Sequence, residues 1–291
     1  MSRGAVDLHS HTTASDGTLS PRELVLAAAR HGVTVLAVTD HDSTDGLTDA
    51  MALAPTHRMT IVPGLEINCD VSGAEIHVLG YCVDWDAPWF QEFLGEQREE
   101  RRRRIYRIAA RLTELGMPID PEAVFALVKE GSAGRPHVAQ AMVDRGYVKS
   151  IREAFDRYLS LNGPANVPRK RLTPADAVRV IRRARGVPVL AHPGLANRDE
   201  LIPGLVEAGL SGIEAFYPEH SAGQITAYRE MCARLGLIAT GGSDFHGPRV
   251  GGVRHPGAQP VPESAWESLR NRLAALAEEA PGEPVAARPA P

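Results

Sequence analysis

Short apolar runs rich in β-branched residues alternate along the chain with amphipathic stretches of helical period. The apolar runs predict strands, and they lie at residues 5–9, 33–40, 59–67, 187–193, 211–216 and 237–244. The stretch 20–32 predicts a helix because Ser20 can cap it before Pro21 and Gly32 can end it. The stretch 225–236 has a similar pattern. This alternation predicts an α/β fold of parallel strands joined by helices.

The alternation stops after residue 85, where a long charged helical pattern begins and no strand follows it. Further helix-like segments continue to about residue 165, and the helix-then-strand order then resumes. We therefore predict a barrel formed by residues 1–98 and 166–276, with a helical insertion at 99–165 that covers the active site. Residues 277–291 are rich in Pro and Ala without apolar periodicity, which predicts a disordered tail.

The composition narrows the class of protein without indicating a function. Hydrophobic residues make up 43% and charged residues 23% of the 291 residues, which is typical of a globular protein. The formal net charge of −4 argues against a protein that coats long nucleic acid or a membrane surface. The sequence has no apolar run of transmembrane length and no secretory signal pattern, so we expect a cytoplasmic protein. Its three cysteines show no C-x-x-C spacing, so we expect reduced thiols.

Histidines and carboxylates recur where the predicted strands end. His9 and His11 are two residues apart and therefore face the same side of a strand, with Asp16 in the turn that follows. Because the C-terminal ends of parallel barrel strands meet on one face, we expect the polar residues there to form one pocket. The nine candidate ligands are His9, His11, Asp16, His41, Glu66, His77, His192, Asp244 and His246.

A multinuclear metal site explains this set better than scattered hydrogen-bonded residues, because so many buried charges need a compensating cation. Imidazole and carboxylate ligands without thiolate suit Mn²⁺, Fe²⁺ or Zn²⁺ better than Ca²⁺. We expect Mn²⁺ first.

The order of these residues resembles the PHP (polymerase and histidinol phosphatase) family. The matching motifs are "DLHSHTTASDG", "TDHDS", "GLEI", "EIHVLGY", "LAHPG" and "GSDFHG", and they extend from about residue 5 to 250. The resemblance implies a distorted (β/α)7 barrel that holds three divalent ions and cleaves phosphoesters. The insertion and "GRPHVA" resemble the subgroup that contains nucleoside 3′,5′-bisphosphate phosphatases and 5′-to-3′ exoribonucleases.

The resemblance also implies how the ligands divide among the ions. One ion would bind His9, His11, Glu66 and Asp244, a second Glu66, His77 and His192, and a third Asp16, His41 and His246. A hydroxide between the first two ions would attack phosphorus, which makes Glu66 and Asp244 catalytic candidates. Asp40 would not be a ligand but would hold an imidazole in the correct tautomer.

Residues outside this set are candidates for binding the substrate. Arg135 and His137 open a predicted insertion helix, where a guanidinium and a helix N-terminus both favour phosphate. Arg101 and Arg104 share a helix face and could bind a second phosphate, although a solvated, salt-bridged face is the alternative. His220 follows another predicted strand and is our candidate for protonating the leaving group.

The predicted function is a metal-dependent phosphoesterase that removes the 3′-phosphate of nucleoside 3′,5′-bisphosphates, such as adenosine 3′,5′-bisphosphate, or trims 5′-phosphorylated short RNA. Both reactions break a bond to the 3′-oxygen of a 5′-phosphorylated nucleotide. The expected partner is therefore a nucleotide or short RNA, and the sequence gives no sign of an obligate protein partner. Alternatives are a phosphatase for another small monoester such as histidinol phosphate, an amide hydrolase, or a non-catalytic metal-binding module.

Overall fold

The computed structural model describes residues 5–71, 74–128, 133–160, 162–167, 172–248 and 253–278. Its described strands are β1 (Ala5–Asp7), β2 (Val33–Val38), β3 (Thr60–Val71), β4 (Ala74–Tyr81), β5 (Val187–Leu190), β6 (Gly212–Phe216) and β7 (Ile238–Gly241). They form one seven-stranded sheet in the order β1-β2-β3-β4-β5-β6-β7. The predicted α/β class and distorted seven-stranded barrel are confirmed.

The described helices surround this sheet and also form a separate layer in the middle of the chain. They are α1 (Pro21–Arg30), α2 (Leu47–Leu53), α3 (Pro88–Glu114), α4 (Pro121–Ala126), α5 (Arg135–Asp144), α6 (Ile151–Ala154), α7 (Pro174–Arg183), α8 (Pro193–Ala196), α9 (Ile202–Glu207), α10 (Ala222–Leu235) and α11 (Glu263–Glu278). The two helices predicted at 20–32 and 225–236 correspond to α1 and α10. None of the helices within the described ranges has the length and apolar character needed to cross a bilayer.

The strand β4 corrects the prediction that all strands are parallel. It pairs antiparallel with both β3 and β5, whereas the other neighbouring pairs are parallel. The physical reason is the connection, because β3 ends at Val71 and β4 begins at Ala74, which leaves no length for a crossover helix. As a result, Glu66 and His77 lie within long strands rather than at strand ends.

The barrel closes between its first and last strands through the residues that follow each of them. Ser10 and Phe245 form a parallel bridge. The Asp244 amide donates to the His9 carbonyl at 2.8 Å, and the His11 amide donates to the Phe245 carbonyl at 2.9 Å. The ends of β1 and β7 are thereby held together beside the residues predicted to bind metal.

A buried carboxylate, Asp7, reinforces this closure. It accepts hydrogen bonds from the Ser243 amide at 2.8 Å, the Ser243 hydroxyl at 2.6 Å and the Gly257 amide at 2.7 Å. Burial raises the pKa of Asp7, although these donors oppose that effect. The side chain therefore joins β1 to the segments that follow β7.

The long helix α3 contributes to two hydrophobic cores. Phe90 and Leu94 near its start pack with β3, β4 and α7. Ile105 and Leu112 near its end pack instead with residues of the insertion, including Met142 of α5. The predicted boundary at residue 99 falls between these two groups. At the other end of the chain, α11 continues to Glu278, and residues 279–291 of the predicted tail lie outside the described residues.

Candidate metal centre

The structure brings the nine predicted ligands together at one mouth of the barrel. The loop after β1 carries His9, His11 and Asp16, and the end of β2 is followed by His41. The antiparallel pair β3 and β4 supplies Glu66 and His77. The segments after β5 and β7 contribute the remaining residues, which are His192, Asp244 and His246.

Glu66 lies at the centre of this cluster and is 1% exposed. Imidazole nitrogens within 3.4 Å of its carboxylate oxygens belong to His9, His11, His41, His77 and His192. Burial by itself raises the pKa of Glu66, but the imidazoles of His41 and His77 outweigh burial and hold that pKa well below its ordinary value. The carboxylate is therefore ionised and able to bridge two cations.

Asp244 and Asp16 provide further negative charge beside the histidines of the cluster. Asp244 Oδ1 is 3.3 Å from His9 Nε2 and 3.1 Å from His11 Nε2. Asp16 Oδ1 is 3.3 Å from His246 Nε2, and Asp16 Oδ2 is 3.8 Å from His41 Nε2. Although burial raises the pKa of each carboxyl, the surrounding imidazoles hold both pKa values well below the ordinary value.

The donor atoms fit bound cations better than they fit one another. His9 Nε2 and His11 Nε2 are only 3.1 Å apart, so two potential lone pairs face the same space. Asp16 Oδ1, His41 Nδ1 and Asp244 Oδ1 are buried and make no hydrogen bond of good geometry, although each has an ion-pair partner within 3.3 Å. Buried polar atoms without good hydrogen bonds are costly unless something else satisfies them, and a cation would do so here.

Three groups of donor atoms are close enough to hold an ion. They are the group His11, Asp16, His41 and His246, the group His9, His11 and Asp244, and the group His41, Glu66 and His77. All donors are nitrogen or oxygen, a set that suits divalent Mn, Fe or Zn. Because His11 and His41 each belong to two groups, the three groups form one continuous centre.

Partners behind the histidines orient their rings, and one of these partners corrects a prediction. Asp40 does not contact an imidazole itself. Instead, Ser15 donates to Asp40 Oδ1 at 2.6 Å, and His11 Nδ1 lies 3.4 Å from the Ser15 hydroxyl. Thr12 also binds Asp40, through its amide and its hydroxyl, each at 2.7 Å. Asp40 therefore acts on His11 through Ser15.

Sequence reasoning missed three polar residues that adjoin the centre: Asp42, Asn68 and Glu214. Asn68 Nδ2 is 2.7 Å from His77 Nε2, and Glu214 contacts His9 Nδ1 at 3.0 Å. The sequence does contain a signal for Glu214, since an acidic residue lies in the middle of the apolar run 211–216. Such a residue in a buried strand calls for a partner.

The predicted substrate residue Arg101 joins the insertion to the barrel. It is 4% exposed, and its Nε donates to Asp42 Oδ2 at 2.6 Å. Its Nη2 also contacts Asn68 Oδ1, and Asn68 in turn contacts His77. Arg101 is therefore linked to the candidate metal ligand His77 through the side chain of Asn68.

Arg104 and Arg135 meet at one carboxylate, Glu75, and Asp70 adds negative charge near Arg104. Arg104 Nη2 donates to Glu75 Oε1 at 2.9 Å, and Arg135 contacts Glu75 Oε2. Arg135 also donates to the Leu159 carbonyl at 3.1 Å. Because Glu75 and His77 are two residues apart in β4, they lie on the same face of the strand. The two guanidinium groups are therefore beside the candidate metal centre.

The N-terminus of α5 also approaches the centre. A Cβ built on Gly134, the residue before the helix, would lie 3.8 Å from Asp16 Oδ2 and 3.7 Å from Arg101 Nη1. His137 in the first turn accepts a hydrogen bond from the Gly134 amide at 3.1 Å, and burial lowers its pKa. The positive end of the helix dipole is thus directed toward the mouth of the barrel.

His220 and Tyr217 lie beside the centre but differ in what they contact. Tyr217 donates to Asp244 Oδ2 at 3.0 Å. His220 Nε2 accepts a hydrogen bond from the Gly194 amide at 3.1 Å, so the ring proton is on Nδ1. His220 Nδ1 lies 3.0 Å from the Ala215 carbonyl oxygen and donates to it. For His220 to protonate a leaving group, as predicted, it would have to give up one of these backbone contacts.

Comparisons with known proteins identify relatives over most of the chain. A family model described as "PHP domain" matches residues 7–167. A phosphoribosyl 1,2-cyclic phosphate 1,2-diphosphodiesterase from Eggerthella lenta is 35% identical over 86% of this chain and 97% of its own length. The 5′-3′ exoribonuclease Rnm from Escherichia coli is 34% identical over 83% of this chain and 85% of its own length.

Two further relatives cover nearly the whole chain. A 3′,5′-nucleoside bisphosphate phosphatase from Chromobacterium violaceum is 32% identical over 92% of this chain and 97% of its own length. A crystal structure described as that of a metal-dependent phosphoesterase from Bifidobacterium adolescentis is 29% identical and superimposes with a TM-score of 0.83. That superposition covers 91% of this chain and 95% of the other.

Proposed function

The chain belongs to the PHP family, and on that premise we propose that it is a metal-dependent phosphoesterase that acts on 5′-phosphorylated nucleotides. It would remove the 3′-phosphate from nucleoside 3′,5′-bisphosphates and trim short 5′-phosphorylated RNA. The class of enzyme predicted from the motifs, a phosphoric ester hydrolase, is confirmed by the relatives. The observation that carries the finer proposal is the position of the arginines beside the metal ligands.

Three divalent ions, with Mn²⁺ as our first choice, are part of this proposal. One ion would bind His9, His11 and Asp244, a second would be held around Glu66, and a third would bind Asp16, His41 and His246. When bound, such ions neutralise the phosphoryl oxygens and make a water molecule a strong nucleophile. The buried donor atoms without good hydrogen bonds at Asp16, His41 and Asp244 support their presence.

We assign the second phosphate of the substrate to Arg101, Arg104, Arg135 and the N-terminus of α5. Guanidinium groups and a helix N-terminus both favour phosphate, and here they lie on one side of the centre. Arg104 and Arg135 both bind Glu75, and a dianionic phosphate would be an additional partner for their positive charge. His137 would contribute from the same first turn.

A site of this kind would serve both proposed substrates. In each, the phosphate that is attacked is joined to the 3′-oxygen of a nucleotide whose 5′-phosphate is available for recognition. The insertion at 99–165 would cover this site and limit the length of RNA that reaches the ions, consistent with the approach of Gly134 to Asp16. A cytoplasmic location, where nucleotides and RNA fragments are available, is part of the same proposal.

The direct test is to incubate Mn²⁺-loaded protein separately with adenosine 3′,5′-bisphosphate and with a short 5′-phosphorylated RNA. We expect AMP with phosphate from the first and stepwise release of 5′-mononucleotides from the second. A matched RNA with a 5′-hydroxyl should be cleaved much more slowly, and protein treated with a chelator should be inactive.

A substrate panel separates this proposal from its alternatives. It includes histidinol phosphate and, because one relative acts on it, a phosphoribosyl 1,2-cyclic phosphate. If the metal-loaded protein hydrolyses one of these and neither nucleotide substrate, the proposed specificity is wrong while the hydrolase class stands. If it binds metal and hydrolyses no phosphoester in the panel, the proposed activity is wrong, and the amide hydrolase and the non-catalytic module remain as alternatives.

A further inference from the structure

Glu214, in the middle of β6, is fully buried next to the metal centre but belongs to none of its donor groups. We propose that Glu214 is a positioning residue that holds His9 and His192 in the orientations in which they bind metal. This inference rests on the proposed function, because it concerns the same ions.

The first observation is that the Glu214 carboxylate contacts the Nδ1 edge of the His9 ring. His9 Nδ1 lies 3.0 Å from Glu214 Oε1 and 3.2 Å from Glu214 Oε2. The opposite nitrogen, His9 Nε2, faces Asp244 and Glu66 at the centre. A carboxylate only accepts hydrogen bonds, so Nδ1 must carry the proton. This tautomer leaves the Nε2 lone pair directed at the ions.

The second observation is that the same carboxylate fixes a strained stretch of backbone. His192 has a φ of 26° and a ψ of 56°, in a region that residues with a Cβ rarely adopt. Its amide donates to Glu214 Oε2 at 2.9 Å. Its ring nitrogen Nε2 lies 3.1 Å from Glu66 Oε1. Strained conformations persist where the surroundings hold them, and Glu214 supplies that hold.

One side chain on β6 thus controls a ligand after β1 and a ligand after β5. His9 belongs to the donor group with Asp244, while His192 contacts Glu66 on the side of His77. A change at Glu214 should therefore weaken binding of more than one ion. No other residue within the described ranges is shown to contact both His9 Nδ1 and the His192 amide.

The substitution Glu214→Gln tests this proposal with little change in volume. Its amide group has one acceptor and one donor end, whereas both carboxylate oxygens of Glu214 face N–H donors. If the amide nitrogen faces the His192 N–H, two donors oppose each other. If it faces His9 Nδ1, it favours the tautomer with the proton on Nε2, which blocks the ligating atom. Either arrangement disturbs one ligand.

The measurement is the affinity for Mn²⁺ alone, by calorimetric titration of metal-free protein, together with the Mn²⁺ retained per chain after dialysis. We expect Glu214→Gln to weaken binding about 10- to 100-fold. The control is Asp176→Asn, which changes a carboxylate in the first turn of α7 that binds Thr173 and Arg179 rather than an imidazole. It should lower thermal stability and leave Mn²⁺ affinity within about twofold of the wild type.

Each outcome decides the matter. Unchanged affinity in folded Glu214→Gln protein, or an equal loss in Asp176→Asn, would overturn the positioning role. If Glu214→Gln does not fold, Glu214→Asp keeps the charge but is too short for both contacts, and wild-type affinity in that variant would equally overturn it. If the wild-type protein binds no Mn²⁺, Zn²⁺ or Fe²⁺, the proposed function itself fails.

Discussion

Asp16 shows how strongly a single residue of the centre depends on a cation. Its Oδ1 is buried without a hydrogen-bond partner, and its neighbours are the imidazoles of His11, His41 and His246. We expect Asp16→Asn to remove one ligand charge, to reduce the Mn²⁺ retained per chain, and to lower kcat by about 100-fold or more.

Metal analysis and steady-state kinetics check this prediction. The control is Asp49→Asn, an exposed carboxylate in the first turn of α2, which should keep wild-type metal content and activity. Full metal content in a folded, active Asp16→Asn protein would remove Asp16 from the centre.

Under the proposed function, Arg135 would recognise the 5′-phosphate of the substrate. Hydrogen bonds to charged groups contribute about 1.5–3 kcal/mol, so Arg135→Ala should raise KM for adenosine 3′,5′-bisphosphate by roughly 10- to 100-fold. Adenosine 3′-phosphate lacks the 5′-phosphate, and its hydrolysis should change little.

The matched control for this comparison is Arg157→Ala, which removes an exposed arginine that pairs with Glu153. It should affect neither substrate. An equal loss for both substrates in Arg135→Ala would mean that Arg135 supports the fold or the centre rather than the 5′-phosphate.

The site residues that could be predicted have their neighbours close in the sequence, whereas the residues that were missed meet their neighbours only in the folded chain. His9 and His11 are two positions apart in a strand, so the sequence itself places their rings on one side. Glu214 and Asn68 meet their histidines only through the tertiary fold, with His9 and Glu214 separated by 205 positions. No spacing rule connects such pairs, which is why they were missed.

At the scale of elements, the single helix α3 contributes side chains to both hydrophobic cores. Leu112 is fully buried in the insertion core, whereas Leu115 at the end of the same helix is 42% exposed. We expect Leu112→Ala to lower the free energy of unfolding by about 2–5 kcal/mol, because it leaves a cavity. Leu115→Ala is the control and should change it by less than about 0.5 kcal/mol.

Denaturant unfolding measures both variants. Because the metal ligands belong to the barrel, Leu112→Ala should retain Mn²⁺ while KM for the nucleotide substrate rises. Equal destabilisation by the two substitutions would contradict the assignment of a separate core to this part of α3.

The direction of β4 marks the limit of prediction at this scale. Ser20 and Glu23 form a local capping box, and Pro21 is the first helical residue, so the start of α1 could be located from residues close together in the sequence. In contrast, the apolar pattern of a strand is the same whichever way the strand runs. Only the two-residue separation between Val71 and Ala74 indicates a hairpin, and that spacing was outweighed by the parallel pattern around it.

For the whole molecule, the barrel closes where the segments after the first and last strands come into close contact. A Cβ built on Gly242 would lie 2.4 Å from both the Cβ and the backbone nitrogen of His9. We expect Gly242→Ala to force these segments apart, to lower the free energy of unfolding by about 1–3 kcal/mol, and to weaken Mn²⁺ binding.

The control substitution is expected to change the free energy of unfolding in the opposite direction. Gly95 lies inside α3, and a Cβ built there meets nothing within 4 Å. Gly95→Ala should therefore raise the free energy of unfolding by about 0.5–1 kcal/mol. Thermal or denaturant unfolding of both variants checks the pair, and a stable Gly242→Ala protein with normal metal affinity would show that the closure is looser than described.

The closure also dictates an order of events during synthesis. The ribosome makes His9 and His11 more than 200 residues before Asp244 and His246, a delay on the order of ten seconds or longer. Throughout that interval the nascent chain has an imidazole pair without the carboxylate that completes its donor group. The donor group of His9, His11 and Asp244 is therefore complete only after the last barrel strand has been translated, and a chain interrupted before Asp244 lacks it.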